Sequence, residues 1–196
     1  LTPAGTAIYL YAVECGFSDD IKFIENNFNI STTGGQSGAG SAYALQVATS
    51  EATFIVNNIT CDSNGPNLGI YSPYGFGPAK DLVIKDNFLN ITGYATGNND
   101  FALISGIEIQ TGYATIYNNT IYAQNKGDYA DDCPVTAISA VQYSAKTLTF
   151  DIKDNEVYTN GKYAVEMLYP PQFAVVVNNT LYAHDLKGDE AVYIKS

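Results

Sequence analysis

Residues Ile116 to Ala123 read Ile-Tyr-Asn-Asn-Thr-Ile-Tyr-Ala, and residues Val176 to Ala183 read Val-Val-Asn-Asn-Thr-Leu-Tyr-Ala. The two stretches lie 60 residues apart, and each has an aliphatic residue three positions before its second Asn. Weaker copies of the same pattern run through the rest of the 196-residue chain. The chain is therefore built from a repeat, and the repeat has to be defined before a fold is considered.

The second Asn of each copy serves as an anchor for aligning the repeats. In every copy the residue before the anchor is Asn or Asp, and a β-branched aliphatic residue stands three positions before it. The anchors are 31, 29, 32, 36 and 24 residues apart, and periods of this size are typical of solenoids, propellers and other arrays. The six anchors are Asn27, Asn58, Asn87, Asn119, Asn155 and Asn179.

A second unit, Ala or Gly followed by an aliphatic residue, recurs between the anchors, as in Gly106-Ile107. Alternating apolar residues follow it, which is typical of half-buried strands, and short strand-like runs flank each anchor. Each repeat thus holds three short strands and no helical pattern. A propeller blade needs about 40 to 45 residues, and leucine-rich repeats would show a leucine lattice. The sequence therefore predicts an all-β fold, a parallel β-helix of about six to seven coils.

The anchor Asn has a physical role in such a fold. A corner needs a bent and often left-handed backbone, and Asn tolerates a positive φ better than most residues. Stacked coils bring equivalent side chains into register, so their amides can hydrogen-bond as a ladder. We expect such a ladder, with Asn at one corner of each coil, through all six anchors. The alternative is that the Asn pairs are only hydrophilic turn residues.

The run Ser105-Gly106-Ile107-Glu108-Ile109, with the anchor region that follows it, resembles one coil of the right-handed parallel β-helix repeat proteins. The likeness covers nearly the whole chain and implies the right-handed form of the fold. The use of Asn, Tyr, Ile and Lys without Arg is similar to that of large adhesin-like surface proteins of methanogenic archaea and some bacteria. This second resemblance implies an extracellular location at the cell surface. The fold itself hosts lyases, hydrolases, phage spikes and adhesins, so it does not imply a function.

Composition and charge restrict the partners. The formal net charge is −11 and the chain contains no Arg, which disfavours nucleic acid and anionic membranes as partners. No apolar run is long enough to span a bilayer. The three cysteines allow either one disulfide with a spare thiol or three free thiols. The chain opens and closes on strand-like runs without an initiator Met, so we expect residues 1–196 to be a single domain from a longer surface protein, with flanking repeats as neighbours.

Tyrosine is unusually frequent, with 16 residues, whereas Trp is absent. This excess points to a candidate binding surface. Tyr122, Tyr158 and Tyr182 each stand three positions after an anchor, so they are expected to form an external stripe that binds sugar rings or another protein. The same stripe could instead shield the rod as a structural ladder. Tyr71 and Tyr74, in a loop-like segment, are further candidate binding residues.

No cofactor is expected, apart from a candidate calcium site. Asp128, Asp131 and Asp132 lie close together in a polar loop and could supply oxygen ligands to Ca²⁺. A solvated acidic loop is the alternative.

The motifs of known β-helix enzymes are missing, because the chain lacks Arg and its one His, His184, has no flanking Gly. Glu108 and Glu166 fall at outward strand positions two coils apart, roughly 9.6 Å by strand spacing. Inverting glycosidases hold their two carboxylates at such a separation, but we expect two solvated surface acids.

These observations predict a non-catalytic, adhesin-like module of the cell surface that binds carbohydrate or another surface protein, or acts as a stalk. The alternative is a polysaccharide-active enzyme domain, a lyase or glycoside hydrolase of the β-helix type. An enzyme would require acids to converge in one groove, whereas an adhesin would not.

Overall fold

The computed structural model describes residues 8–16, 20–32, 40–48, 51–63, 67–73, 81–94, 103–110, 112–127, 135–141, 149–161, 163–168, 173–184 and 190–195. Within these ranges all regular structure is β-strand, arranged in three parallel sheets. Sheet A contains β1 (Ile8–Gly16), β4 (Gly40–Ala48), β7 (Asn67–Ser72), β10 (Ile104–Ile109), β13 (Val135–Val141), β16 (Tyr163–Leu168) and β19 (Glu190–Lys195). Sheet B contains β2 (Ile21–Ile24), β5 (Glu51–Ile55), β8 (Asp81–Lys85), β11 (Tyr113–Tyr117), β14 (Thr149–Lys153) and β17 (Phe173–Val177). Sheet C contains β3 (Asn27–Thr32), β6 (Asn58–Ser63), β9 (Phe88–Gly93), β12 (Thr120–Asn125), β15 (Glu156–Thr159) and β18 (Thr180–Ala183).

Successive strands belong to sheets A, B and C in rotation. Each strand pairs in parallel with the equivalent strand of the next coil. The chain therefore winds as a parallel β-helix. Strand β1 is followed by six coils of three strands, the first being β2 to β4 and the last β17 to β19. The predicted fold class, an all-β solenoid with three short strands per coil, is confirmed.

The core lies inside the coil, because alternate side chains of the strands in sheets B and C point inward. In β5, for example, Ala52 and Phe54 are buried while Glu51, Thr53 and Ile55 are not. Isoleucine, leucine and valine from the three sheets meet along the rod axis together with Phe54 and Phe150. Burial of these apolar side chains is the main stabilising contribution.

The recurring Ala or Gly of sheet A packs where there is little room. A Cβ atom added to Gly106 would lie 2.5 Å from Cγ2 of Ile121 and 2.7 Å from the carbonyl oxygen of Ala137. A side chain at this position would therefore meet both the core and the backbone of the neighbouring coil. This explains why the repeat uses only Gly or Ala there.

A ladder of asparagine side chains follows one corner of the solenoid. From the second ladder residue onward, the Oδ1 atom accepts bonds of 2.9 to 3.1 Å from the backbone N–H and Nδ2 of the Asn one coil earlier. From that residue onward, Nδ2 also donates, at 2.8 to 2.9 Å, to the carbonyl oxygen of a core-facing residue of the preceding coil. The ladder consists of Asn26, Asn57, Asn87, Asn119, Asn155 and Asn179.

In the first two coils the ladder residue lies one position earlier than the sequence suggested. Asn27 and Asn58 are not ladder residues; they are the first residues of β3 and β6, lie opposite each other in sheet C and are exposed. Their neighbours Asn26 and Asn57 make the ladder bonds instead.

The reason for this shift is that aromatic residues replace the expected aliphatic residue. Phe23 and Phe54 occupy the core-facing place that Ile84 holds in the third coil. Ile24 and Ile55, which set the predicted alignment, stand one residue later, and Ile24 is exposed. A pattern that required a β-branched aliphatic residue therefore placed these two coils one residue out of phase.

The left-handed residue of each corner also differs from the expectation. Positive φ angles of 53° to 57° belong to the residue immediately before the ladder Asn. The ladder Asn donates its own backbone N–H along the rod to the next coil, and the bend falls on its predecessor. The corner residues are Glu25, Val56, Asp86, Asn118, Asp154 and Asn178.

Val56 is the corner residue least suited to its conformation, so its replacement by Asn is expected to stabilise the protein. A left-handed backbone costs a residue with a branched Cβ about 1 to 2 kcal/mol, whereas Asn adopts it readily. The Val56 side chain is 50% exposed, so little packing is lost. We expect Val56→Asn to raise the free energy of unfolding by about 1 kcal/mol in urea denaturation.

The control is Thr53→Asn, at an outward position of β5, the strand that ends just before Val56; Thr53 has no positive φ. This change should not stabilise. A gain of the same size at both positions would show that the strain at Val56 is not the cause.

Candidate functional site

An aromatic stripe runs along the outer face of sheet C. Tyr122, Tyr158 and Tyr182 occupy equivalent positions in three successive coils. Each follows a core-facing residue (Ile121 before Tyr122, for example), so its own ring points outward. The expected external stripe is thus an observed arrangement of these three residues, which we call the aromatic stripe.

The rings of the stripe stack face to face. The centroids of Tyr122 and Tyr158 are 4.9 Å apart with 6° between the ring planes, and those of Tyr158 and Tyr182 are 4.8 Å apart with 7°. Phe88 adjoins the Tyr122 ring at 5.8 Å in a tilted arrangement. Ring faces inside the stack cover one another, so a ligand could touch only ring edges and hydroxyl groups there. Tyr182, which is 53% exposed, offers the most open ring.

A carboxylate restrains the middle tyrosine. The hydroxyl of Tyr158 donates a hydrogen bond to Oε1 of Glu156, two residues earlier in the same strand. This bond, above all other causes, raises the pKa of Tyr158 to about 12. The Tyr158 hydroxyl is therefore a neutral donor already engaged with the protein, and the acidic Glu156 is part of the same surface.

The other predicted aromatic site does not join the stripe. Tyr71 lies in β7 of sheet A, on a different face of the solenoid, with its ring 5.7 Å from that of Tyr43. Tyr74 lies outside the described residues.

The proposed calcium ligands Asp128, Asp131 and Asp132 also lie outside the described residues. Within the ranges that the structure describes, no group of three or more His, Cys, Asp or Glu side chains could hold a metal ion. The described cysteines, Cys15 and Cys61, are free thiols, and Cys133 lies outside the described ranges.

Glu108 is not the solvated surface acid that the sequence suggested. Its neighbours Ile107 and Ile109 face the core, so Glu108 points to the outer face of sheet A. Nevertheless only 3% of the residue is exposed. Ser105, Thr136 and Ser139, at nearby outward positions of β10 and β13, are buried as well.

The bonding of the Glu108 carboxylate is incomplete. Oε1 accepts a bond of 2.6 Å from Nε2 of Gln110, whereas Oε2 is buried without a hydrogen-bond partner. Burial is the main reason that the pKa of Glu108 rises to about 7; the Gln110 bond lowers it, and the charge of Glu166 raises it further. Glu108 therefore titrates near neutral pH.

Glu166 lies two strands from Glu108 in sheet A, with Ser139 between them in register. One of its carboxylate oxygens, Oε2, lies 3.4 Å from Oγ1 of Thr136 in the intervening strand β13. The two acids named from the sequence therefore lie two strands apart on one face of sheet A, and the charge of Glu166 acts on Glu108. Their strand positions were predictable, but the burial of the outer face was not, because alternation along a strand says nothing about what covers it.

No helix of the described ranges is long and apolar enough to cross a membrane. Comparison of the chain with protein-family models, with curated proteins and with solved structures gave no significant match in any of the three.

Proposed function

We propose that this chain is a non-catalytic, adhesin-like module of an extracellular cell-surface protein, and that it binds carbohydrate through the aromatic stripe. The single observation that carries the proposal is the row of outward tyrosines at equivalent positions of three successive coils. Tyrosine combines an apolar ring with a polar hydroxyl group, which suits it to ligands that have both apolar and hydrated polar surfaces.

The geometry of the stripe favours an elongated ligand. Its rings recur at 4.8 to 4.9 Å along the rod, so a linear polysaccharide lying along the axis would meet the same edges and hydroxyl groups in every coil. Tyr182 is the most exposed tyrosine of the stripe, so its ring edge and hydroxyl group are the most accessible to a sugar. An acidic surface with net charge −11 favours neutral or cationic glycans over sulfated or uronic ones.

The experiment is a glycan-array screen of the purified protein with and without Ca²⁺, followed by affinity measurements on the best glycan. We expect Tyr182→Ala to weaken binding about tenfold, which corresponds to about 1.4 kcal/mol, because it removes the most exposed ring. The matched control is Tyr113→Ala, an exposed tyrosine on the outer face of sheet B.

Equal losses at Tyr182 and Tyr113 would contradict a site at the aromatic stripe. Binding to a surface protein instead of a glycan would keep the stripe as an interface but change its ligand. If the protein binds neither, the stacked tyrosines serve as a structural ladder and the rod as a stalk.

A second candidate function is that of a polysaccharide-active enzyme, and the observation that favours it is Glu108. A carboxyl group that titrates near neutral pH next to a second carboxylate is the pattern of a general acid with its partner base. The near-complete burial of Glu108 opposes this function, because a general acid has to reach its substrate. Release of new reducing ends or unsaturated sugars from a bound glycan, lost in Glu108→Gln, would establish it.

A further inference from the structure

The unpartnered Glu108 oxygen is the feature that the aromatic stripe does not explain. A buried carboxylate normally has its lone pairs satisfied, because an unpaired charge in a poorly solvated place is costly. Oε2 of Glu108 has no hydrogen-bond partner, although the residue is only 3% exposed. Some group of positive charge, or a proton, has to compensate it.

A second carboxylate lies on the same face of the sheet. Glu166 stands on β16, and its Oε2 lies 3.4 Å from the hydroxyl of Thr136 on β13, the strand between those of the two acids. Ser139 of β13 stands in register between the two acids and is buried. Two carboxylates therefore stand on the outer face of sheet A on either side of a buried hydroxyl residue, and the charge of Glu166 acts on Glu108.

No cationic side chain stands on this part of the outer face within the described residues. From β4 to β16, the outward positions nearest the acids hold Gln46, Tyr71, Gln110, Ser139 and Tyr163. The lysines with described side chains belong to sheet B or follow a strand of sheet C; they are Lys22, Lys85, Lys126 and Lys153.

We propose that Glu108 and Glu166 bind a divalent cation of the calcium type on the outer face of sheet A. The donor set consists of oxygen atoms only, from the two carboxylates and the hydroxyl group of Ser139 between them, with water completing the shell. Ca²⁺ takes six to eight oxygen ligands in flexible geometry, and carboxylates are its preferred protein ligands. This site is separate from the aspartates of 128–132 and does not depend on carbohydrate binding at the aromatic stripe.

The test uses Tb³⁺, which accepts the oxygen ligands of Ca²⁺ and emits when a nearby tyrosine absorbs light; Tyr71 stands next to Glu108 in register. The full chain, stripped with EDTA at pH 8, is titrated with Tb³⁺ and then with Ca²⁺. We expect one saturable binding step that Ca²⁺ reverses. Glu108→Gln and Glu166→Gln should each weaken it at least tenfold, and Ca²⁺ should raise the melting temperature of the unmodified protein but not of Glu108→Gln.

The control is Glu14→Gln, an exposed acid of β1 on the same face of sheet A, which should bind as the unmodified protein does. Absence of a saturable step would overturn the proposal. The proposal would also be overturned if Glu108→Gln bound Tb³⁺ as tightly as the unmodified protein does. This outcome includes the case in which Asp131→Asn abolishes the binding instead. In those cases a proton, and not a metal ion, compensates Glu108.

Discussion

Replacing Glu108 by Gln is expected to stabilise the protein at pH 8 by up to about 3 kcal/mol and to leave its stability at pH 4 nearly unchanged. Burial raises the pKa of Glu108 from 4.5 to about 7 in the folded state. A difference of one pKa unit corresponds to about 1.4 kcal/mol, which gives the size of the effect. Gln keeps the shape of the side chain and cannot ionise.

The direction follows from proton binding in the two states. Because the folded pKa lies above the unfolded one, the folded protein holds this proton more tightly, and the favourable contribution is complete below about pH 4.5. The contribution is lost as the pH rises from 4.5 to 7, since the unfolded chain releases the proton first. Above pH 7 the buried carboxylate carries its full desolvation cost, which Glu108→Gln removes.

The measurement is urea unfolding of both proteins in EDTA at several pH values from 4 to 8. Other acids also change stability with pH, so the informative quantity is the difference in unfolding free energy between the variant and the unmodified protein. Glu14→Gln, the substitution of an exposed acid, serves as the control and should change the unfolding free energy much less than Glu108→Gln does at pH 8. A difference for Glu108→Gln that does not grow with pH would show that its pKa is close to normal.

The architecture was predictable because the same residue types recur in each coil, and each has a physical reason to do so. A small residue is needed where Gly106 meets both the core and the next coil, and an amide is needed at each ladder position. In the later coils the core-facing residue is aliphatic, as at Ile116, so the pattern and the structure agree there. The ladder positions Asn87, Asn119, Asn155 and Asn179 follow directly.

The phase of the first two coils could not be read from the same pattern. Phe23 and Phe54 fill the core position through stacked rings 5.2 Å apart, so an aromatic pair substitutes for the aliphatic residue. Tandem Asn residues then make two alignments equally good, and only the packing of the core selects between them. Asn26 and Asn57 were missed for this reason.

The acidic site shows a different limit of sequence reasoning. Alternation correctly placed Glu108 and Glu166 outward, and strand spacing correctly placed them two coils apart. Whether an outward side chain meets water depends on contacts that no local pattern encodes. Ser139, in register with Glu108 on the next strand, is an ordinary polar residue by sequence and is nevertheless buried. The same burial makes the Glu108 carboxyl group unusual.

The two neighbouring asparagines of the second coil provide the sharpest test of the ladder. Asn57→Leu is expected to lower the free energy of unfolding by about 3 kcal/mol, whereas Asn58→Leu should change it by no more than about 0.5 kcal/mol. Asn57 is only 2% exposed. Its Oδ1 accepts from Asn26, and its Nδ2 donates to the carbonyl oxygen of Phe23 at 2.9 Å and to Oδ1 of Asn87 at 3.0 Å.

Leucine has the same branched shape as Asn, although it is larger, and it neither donates nor accepts. The substitution therefore leaves these partners unsatisfied beside the core, at about 1 to 3 kcal/mol for each group that water cannot reach. Asn58 is exposed at the start of β6, and its backbone bond to Asn26 survives the substitution. Urea denaturation at constant pH measures both variants. A loss confined to Asn58→Leu would restore the alignment in which Asn27 and Asn58 are the anchors, and equal small losses would mean that the ladder contributes little to stability.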